Sequence, residues 1–401
     1  MACCAVRSPD PLMMEAAVSA DVMTIADRVR SARSRGATLR IVSAGNWLDA
    51  GRPCAASERL ELAALQGIVS YEPGDLTLTA RAATPLAEIE RVTAAEGQWL
   101  TLDAHGAPSG TIGATVATAS AGPLASAFGT PRDHVLGCEF VSGTGDVVRA
   151  GGRVVKNVAG FDLVRLVTGA WGTLGALTEI TVRLRARPEE DITLAVSVGG
   201  ISAASAAELA WRWTRESEYR PFAAELVSPS LAQRLTGMSG SPDARLLVRL
   251  AGNTSFVRAA RSAVAALGDA QPVASSVWGE LALAEPAAAI VFRASALPSS
   301  IGILCSRATD LAEGFGGYSH ATLTRGVVRC VLPAPRDDNA MERLRAGLSQ
   351  LSTGVTVVGE RMPAALWSIS SHPGASDALA ERVRRAFDPD HIMNPGLLGG
   401  A

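Results

Sequence analysis

The residues best suited to holding a ligand in this sequence are small ones, gathered at three separated places. Gly169, Gly172 and Gly175 recur three apart, just ahead of the alternating run 176–184. That alternation predicts a strand with one buried face. Without a Cβ, glycine lets backbone N–H groups approach a flat or phosphorylated ligand closely. Gly110-Thr111-Ile112-Gly113, followed by Ala114 and Thr115, predicts a loop entering a helix. The first amides of a helix suit an anion. A third small-residue loop, Ser43-Ala44-Gly45-Asn46, follows the short strand-like run 38–42.

The usual side-chain chemists are dispersed. His105, His134, His320, His372 and His391 stand more than ten residues from one another. Cys3, Cys4, Cys54, Cys138, Cys305 and Cys330 form no C-x-x-C pair. That spacing holds neither zinc nor an iron–sulfur cluster locally, so no metal site is expected and the thiols read as free.

Regular elements must position the three loops. Val18, Val22, Ile25, Ala26 and Val29 have helical spacing, with Gly36 as a stop. Pro73-Gly74-Asp75 is a turn before a strand over 76–80, and Thr84 opens a helix. Residues 142–146 form a hairpin turn between strands 135–141 and 147–149. The acidic 189–191 marks a boundary, after which strands and helices alternate to about residue 359. That alternation predicts a mixed sheet with helices on one side. No internal repeat is visible. The tail reads as a helix over 377–387 and then two proline turns, the second at Asn394-Pro395-Gly396.

Composition narrows the function classes. The net charge of -2 and the 4% of aromatic residues, with no basic–aromatic stripe, argue against nucleic acid as a partner. No apolar run reaches membrane-spanning length, so no transmembrane segment is expected. The first seventeen residues make a poor signal peptide, which points to the cytoplasm.

Four stretches together carry a family resemblance. Lys156-Asn157-Val158-Ala159-Gly160-Phe161-Asp162 is followed by G-x-x-G-T-L-G ending at Gly175. Arg132-Asp133 begins an R-D-x-V-L-G run, and residues 387–396 read F-D-P-x-x-I-x-N-P-G. The set resembles the vanillyl-alcohol oxidase (PCMH-type) flavoprotein superfamily, and within it the FAD-binding E subunits of bacterial glycolate oxidase. The resemblance implies an α+β fold. A PCMH-type FAD-binding domain of two subdomains would cover 1–188 and a cap 189–370, with 371–401 returning to the first domain. It implies FAD held by Ser43, Ala44, Gly45 and Asn46, by Gly110, Thr111, Gly113 and Thr115, by Arg132 and Asp133, and by Gly172, Thr173, Gly175 and Ile180. Many members attach FAD through a loop histidine; Asn46 and Trp47 stand there, so non-covalent FAD is expected. Gly172→Val or Gly113→Val should then block the approach of backbone to cofactor.

Relatives that oxidise D-2-hydroxy acids resemble one another in a motif H-x-G-D-G-N-x-H, which is absent here. The catalytic residues are therefore unassigned, and substrate oxidation is expected on a paralogous D-type flavoprotein subunit. Electrons would pass through this chain toward an F-type iron–sulfur subunit and a quinone-type acceptor, with the complex at most peripheral to the inner membrane. Two alternatives stand beside this. One is a self-sufficient hydroxy-acid oxidase or dehydrogenase using Arg325, Tyr318, His320 or Glu360; the other is a flavin-free scaffold subunit.

Overall fold

The computed structural model describes residues 19–107, 109–152, 162–198, 200–238, 243–370 and 378–399. Lys156, Asn157, Gly160 and His372 lie outside them.

Helix α1 (Ala20–Ser34) buries Val22, Ile25, Ala26, Val29 and Ala32, and the Ser19 hydroxyl caps it by accepting from the Val22 N–H at 3.4 Å. Its apolar face packs on a parallel pair, β1 (Leu39–Val42) and β2 (Glu58–Glu61). β3 (Ile68–Glu72) and β4 (Thr77–Arg81) follow, then α2 (Leu86–Ala94), β5 (Gln98–Trp99) and α3 (Ile112–Thr118). Short helices α4 (Ala125–Phe128) and α5 (Pro131–His134) lead to β6 (Val135–Ser142) and β7 (Val147–Gly151). α6 (Leu163–Val167) precedes β8 (Gly175–Arg183) and β9 (Arg185–Ala186). A five-stranded antiparallel sheet results, in the order β3-β4-β8-β6-β7. β8 lies at its centre because its glycine start and alternating run place Ile180 and Val182 fully in the core. The expected hairpin joins β6 to β7, closed by the Ser142 N–H on the Asp146 carbonyl at 3.0 Å.

The next stretch contains β10 (Glu190–Ser197), α7 (Ala203–Glu216), β11 (Ala223–Val227), α8 (Pro229–Ala232), β12 (Arg245–Gly252), α9 (Thr254–Ala265), β13 (Ala270–Val273) and α10 (Val277–Leu283). It goes on through β14 (Ile290–Ser295), α11 (Ile301–Gly314), β15 (Tyr318–Thr322), β16 (Val327–Leu332), α12 (Asp338–Leu351) and β17 (Thr356–Arg361). These strands make one eight-stranded sheet, β13-β10-β12-β11-β15-β16-β14-β17.

The sheet is antiparallel throughout, not mixed as expected. Each helical crossover does join two parallel strands, but a third strand inserts between them. β12 separates β10 from β11, and β16 separates β14 from β15. Each half is thus a βαββαβ unit of the split kind, and the two meet where β11 pairs with β15. This topological repeat leaves no mark in the sequence. Nor are helices confined to one face. Residues of α7, α9, α11 and α12 fill one core layer, while α8 and α10 cover the opposite face with Leu231, Val277 and Leu281.

After α13 (Ala378–Phe387) the chain returns to the first part. The Leu39 N–H donates to the Ile392 carbonyl at 2.7 Å and the Asn394 N–H to the Leu39 carbonyl at 2.8 Å. Buried Asp388 holds the bend by accepting from the Ile392 and Met393 N–H groups at 3.0 and 2.9 Å.

Candidate functional site

The three small-residue turns converge. The loop after β1, the turn into α3 and the turn into β8 line one groove, enclosing about 760 Å³ of space open to solvent. Asn394 closes its floor. Its Oδ1 accepts from the Ile41 N–H at 2.9 Å and its Nδ2 donates to the Trp171 carbonyl at 2.7 Å. Asn394 and Trp171 both sit at positive φ, 45° and 53°, so this clamp stabilises backbone that is otherwise disfavoured. Four successive N–H groups, Ala44 to Trp47, have no hydrogen-bond partner among the described residues. Ala44 is exposed and Gly45, Asn46 and Trp47 are half-buried, so these N–H groups are open to water or to a ligand. By contrast, the first amides of α3 are engaged internally. Ile112 donates to the Thr84 carbonyl at 3.0 Å, Gly113 to the Ala82 carbonyl at 2.8 Å and Ala114 to the Thr111 hydroxyl at 3.3 Å. The N–H groups without a protein partner are therefore in the first loop and not at the helix start.

Beyond Asn46, Trp47 and Gly110 the groove meets a second cavity of about 710 Å³, also open to solvent and walled by His105, Glu285 and Arg361. Behind it lies a buried charge network. Arg329, 3% exposed, donates from Nε to Glu285 at 2.5 Å and from Nη2 to Glu360 at 2.6 Å. Arg361 donates to Glu285 at 3.0 Å and pairs with Asp49 at 3.1 Å, tying the eight-stranded sheet to the first loop. Arg293 pairs with the other Glu360 oxygen at 2.5 Å. His320 Nδ1 lies 2.7 Å from Glu225, and its ring centre 5.7 Å from that of His105. Burial opposes ionisation of Glu360, but Arg329 and Arg293 hold its carboxyl well below the usual range. Burial, then Arg329 and His320, keep His105 well below its ordinary value and so neutral at pH 7. Burial pushes the Asp103 carboxyl up to about 7, against the Leu124 N–H that favours its charged form.

Residues 17–151 match the FAD binding domain family. The chain carries a PCMH-type FAD-binding domain. Glycolate oxidase subunit GlcE of Escherichia coli is 39% identical over 169 residues, 42% of this chain and 48% of that protein. The match thus spans about half the length of that relative. Glycolate oxidase subunit GlcD of Bacillus subtilis is 27% identical over 375 residues, 82% of this chain and 77% of that one. D-2-hydroxyglutarate dehydrogenase of Xanthomonas citri pv. viticola is 29% identical over 182 residues, covering 45% and 38%. Among solved structures, alkyldihydroxyacetonephosphate synthase superposes with a TM-score of 0.66 over 92% of this chain and 74% of that one. At 14% identity that likeness concerns the fold alone. This chain is an FAD-binding protein related to glycolate oxidase subunits and D-2-hydroxyacid dehydrogenases, and FAD is its cofactor.

Ser43, Ala44, Gly45, Asn46, Gly110, Thr111, Gly113, Gly172 and Gly175 all line the groove. The other five expected contacts are engaged elsewhere. Thr115 and Thr173 turn their hydroxyls back on the Thr111 and Ala170 carbonyls, and Ile180 is core. Arg132 binds the Thr168 carbonyl at 3.3 Å, and Asp133 closes a capping box with Thr130. Trp171, Asn394 and Leu397 line the groove without having been expected. The Asn-Pro-Gly turn was the available signal for Asn394.

The glycines of the lining serve different ends. A Cβ on Gly113 would lie 2.6 Å from the Ala82 carbonyl oxygen, and one on Gly175 2.5 Å from that of Val141. A Cβ on Gly172 would strike Asn394 and Ile41. These three let protein pack on protein; a Cβ on Gly45 would make only an ordinary contact, with Leu48 at 3.6 Å. Gly113→Val is therefore expected to cost ~3 kcal/mol or more of folding stability through overpacking, seen in urea melts of the apoprotein. An apoprotein as stable as wild type would contradict that. Of the four residues considered for a base, His320 and Glu360 join the buried network. Tyr318 donates to the Ala284 carbonyl beneath Arg234 instead.

Proposed function

We propose that this chain is the FAD-binding subunit of a complex that oxidises glycolate or a related D-2-hydroxy acid. It relays electrons from a D-type flavoprotein subunit toward an iron–sulfur subunit and a quinone-type acceptor. The observation that carries this reading is the groove, whose unpaired amides Ala44 to Trp47 suit a pyrophosphate. FAD supplies the acceptor for two electrons; the protein supplies binding and orientation. In this reading residues 1–188 hold FAD without a covalent bond, 189–370 form the cap and 371–401 return. Onward transfer falls to a partner because the six cysteines of the sequence lack cluster-ligand spacing. Burial pushes Cys138 and Cys305 up to about 12, leaving inert thiols. Among the described residues no helix is long and apolar enough to cross a membrane. The complex works in the cytoplasm, attached to the inner membrane only through its partners.

The test is purification of the tagged chain from its own host, followed by native mass spectrometry. The expected result is one FAD per chain and two co-purifying chains, one a flavoprotein and one rich in cysteine. A flavin-free chain, or a flavoprotein with no partners, would count against it. The cavity beside the groove favours a second reading, in which this chain also oxidises a hydroxy acid itself. Anaerobic bleaching of its flavin by glycolate, with no partner added, separates the two.

A further inference from the structure

His105 has no structural task that accounts for its setting. It is 8% exposed, and its Nδ1 makes no hydrogen bond among the described residues. The nearest charge to that nitrogen is Glu285 Oε1, at 4.0 Å. A buried ring nitrogen without a partner calls for an explanation. His105 lines the cavity that opens from the FAD groove at Asn46, Trp47 and Gly110. The loop that carries it is pinned on both sides. The His105 N–H donates to the Ser120 hydroxyl at 3.2 Å, and the Gly106 N–H to the Ala282 carbonyl at 2.9 Å.

We propose that His105 is the proton acceptor for the hydroxyl of a small hydroxy acid bound in this cavity. The proposal rests on the second reading above. The step balances without a further reactant. FAD, held in the neighbouring groove, would supply the acceptor for the hydrogen and electron pair released as the substrate C–H bond breaks. The hydroxyl proton passes to His105 Nε2, and the product is a 2-oxo acid. The Nδ1–H then faces Glu285, whose carboxylate offsets the charge gained by the ring. Among the described residues that line the cavity, Arg361 is the cation, and a substrate carboxylate would share it with Glu285 and Asp49. The base works because it is neutral beforehand. Burial, then Arg329 on β16 and His320 on β15, disfavour its charged form; Asp103 lies on its own loop, and Glu225 on β11 pairs with His320. Arg293, Glu285, Glu360 and Arg361 complete the set. No cap residue expected as a base plays this part; the ring comes from the FAD side.

The test uses the full chain loaded with FAD. Anaerobic stopped-flow follows flavin reduction by glycolate, D-lactate or D-2-hydroxyglutarate. Titration with oxalate, which cannot be oxidised by hydride loss, follows binding through the flavin spectrum. His105→Gln is expected to slow reduction about 100- to 10,000-fold, with FAD content and the oxalate spectral change retained. For the wild type the rate should fall through one ionisation below pH 6.5. Reduction of the variant at the wild-type rate overturns the proposal. So does an FAD-loaded wild type that none of the three acids reduces, which leaves FAD binding itself intact. A wild type without flavin would instead sink the groove. Should the variant lose FAD, the wild-type profile decides, followed down to the lowest pH at which FAD stays bound; a rate that does not fall over that range overturns the proposal.

Discussion

An Arg329→Ala variant is expected to lose about 3–5 kcal/mol of folding stability, the usual cost of removing one member of a buried ion pair. Arg329 lies between Glu285 and Glu360, each at least nine-tenths buried, and is itself 3% exposed. Without it, both carboxylates keep only a peripheral partner: Arg361 for Glu285 and Arg293 for Glu360. Arg293, with its side chain 38% exposed, is screened by water and worth far less. The loss should depend on pH. Glu360 is held below its ordinary 4.5 in the folded chain, so it contributes stability above 4.5 that is lost as pH falls. His105 is held below 6.5, so the unfolded chain binds its proton first and stability drops as pH falls below 6.5. Arg329 helps to cause both shifts. Removing it flattens both dependences, and the gap between wild type and variant should narrow from pH 7 to pH 4. Urea melts at those two pH values measure it; an equal gap at both would refute the assignment.

What the sequence made legible was local. The turns around Gly45, Gly110 and Gly172 were readable because glycine spacing and small neighbours act within a few residues, and the groove they line follows from them. The strand β8 was readable from alternation for the same reason. Other features depend on contacts across the chain. His105 gains its meaning from Glu285 and His320, 180 and 215 positions away, and no motif announces such a meeting. The eight-stranded sheet misled for a related reason. A helical crossover looks the same in sequence whether its two strands become neighbours or admit a third between them. Arg132, Asp133, Thr115, Thr173 and Ile180 look like cofactor contacts because they sit in motifs near the groove. The motifs also need residues to hold the local backbone: Arg132, Asp133, Thr115 and Thr173 make such bonds, and Ile180 packs in the core.

The glycines separate cofactor binding from folding more cleanly than any other substitution. Gly45→Val is expected to weaken FAD binding at least ~10-fold, about 1.4 kcal/mol, while the apoprotein loses only the strain of its backbone. Gly45 has φ +80°, a conformation that costs an L residue roughly 1–2 kcal/mol. A Cβ there would make only an ordinary contact, with nothing nearer than Leu48 at 3.6 Å. Gly45 lines the groove beside the amides Ala44 to Trp47, so valine methyls there would take up space that a pyrophosphate needs. Gly45→Ala should keep most of the backbone strain with less of the blockade, so its melt should match that of the valine variant while its FAD affinity lies nearer wild type. Fluorescence titration of apoprotein with FAD, beside urea melts of the same samples, separates the two terms. If valine lowers stability but leaves the FAD dissociation constant unchanged, the first loop does not face the cofactor. The unpaired amides would then have to be explained by water alone.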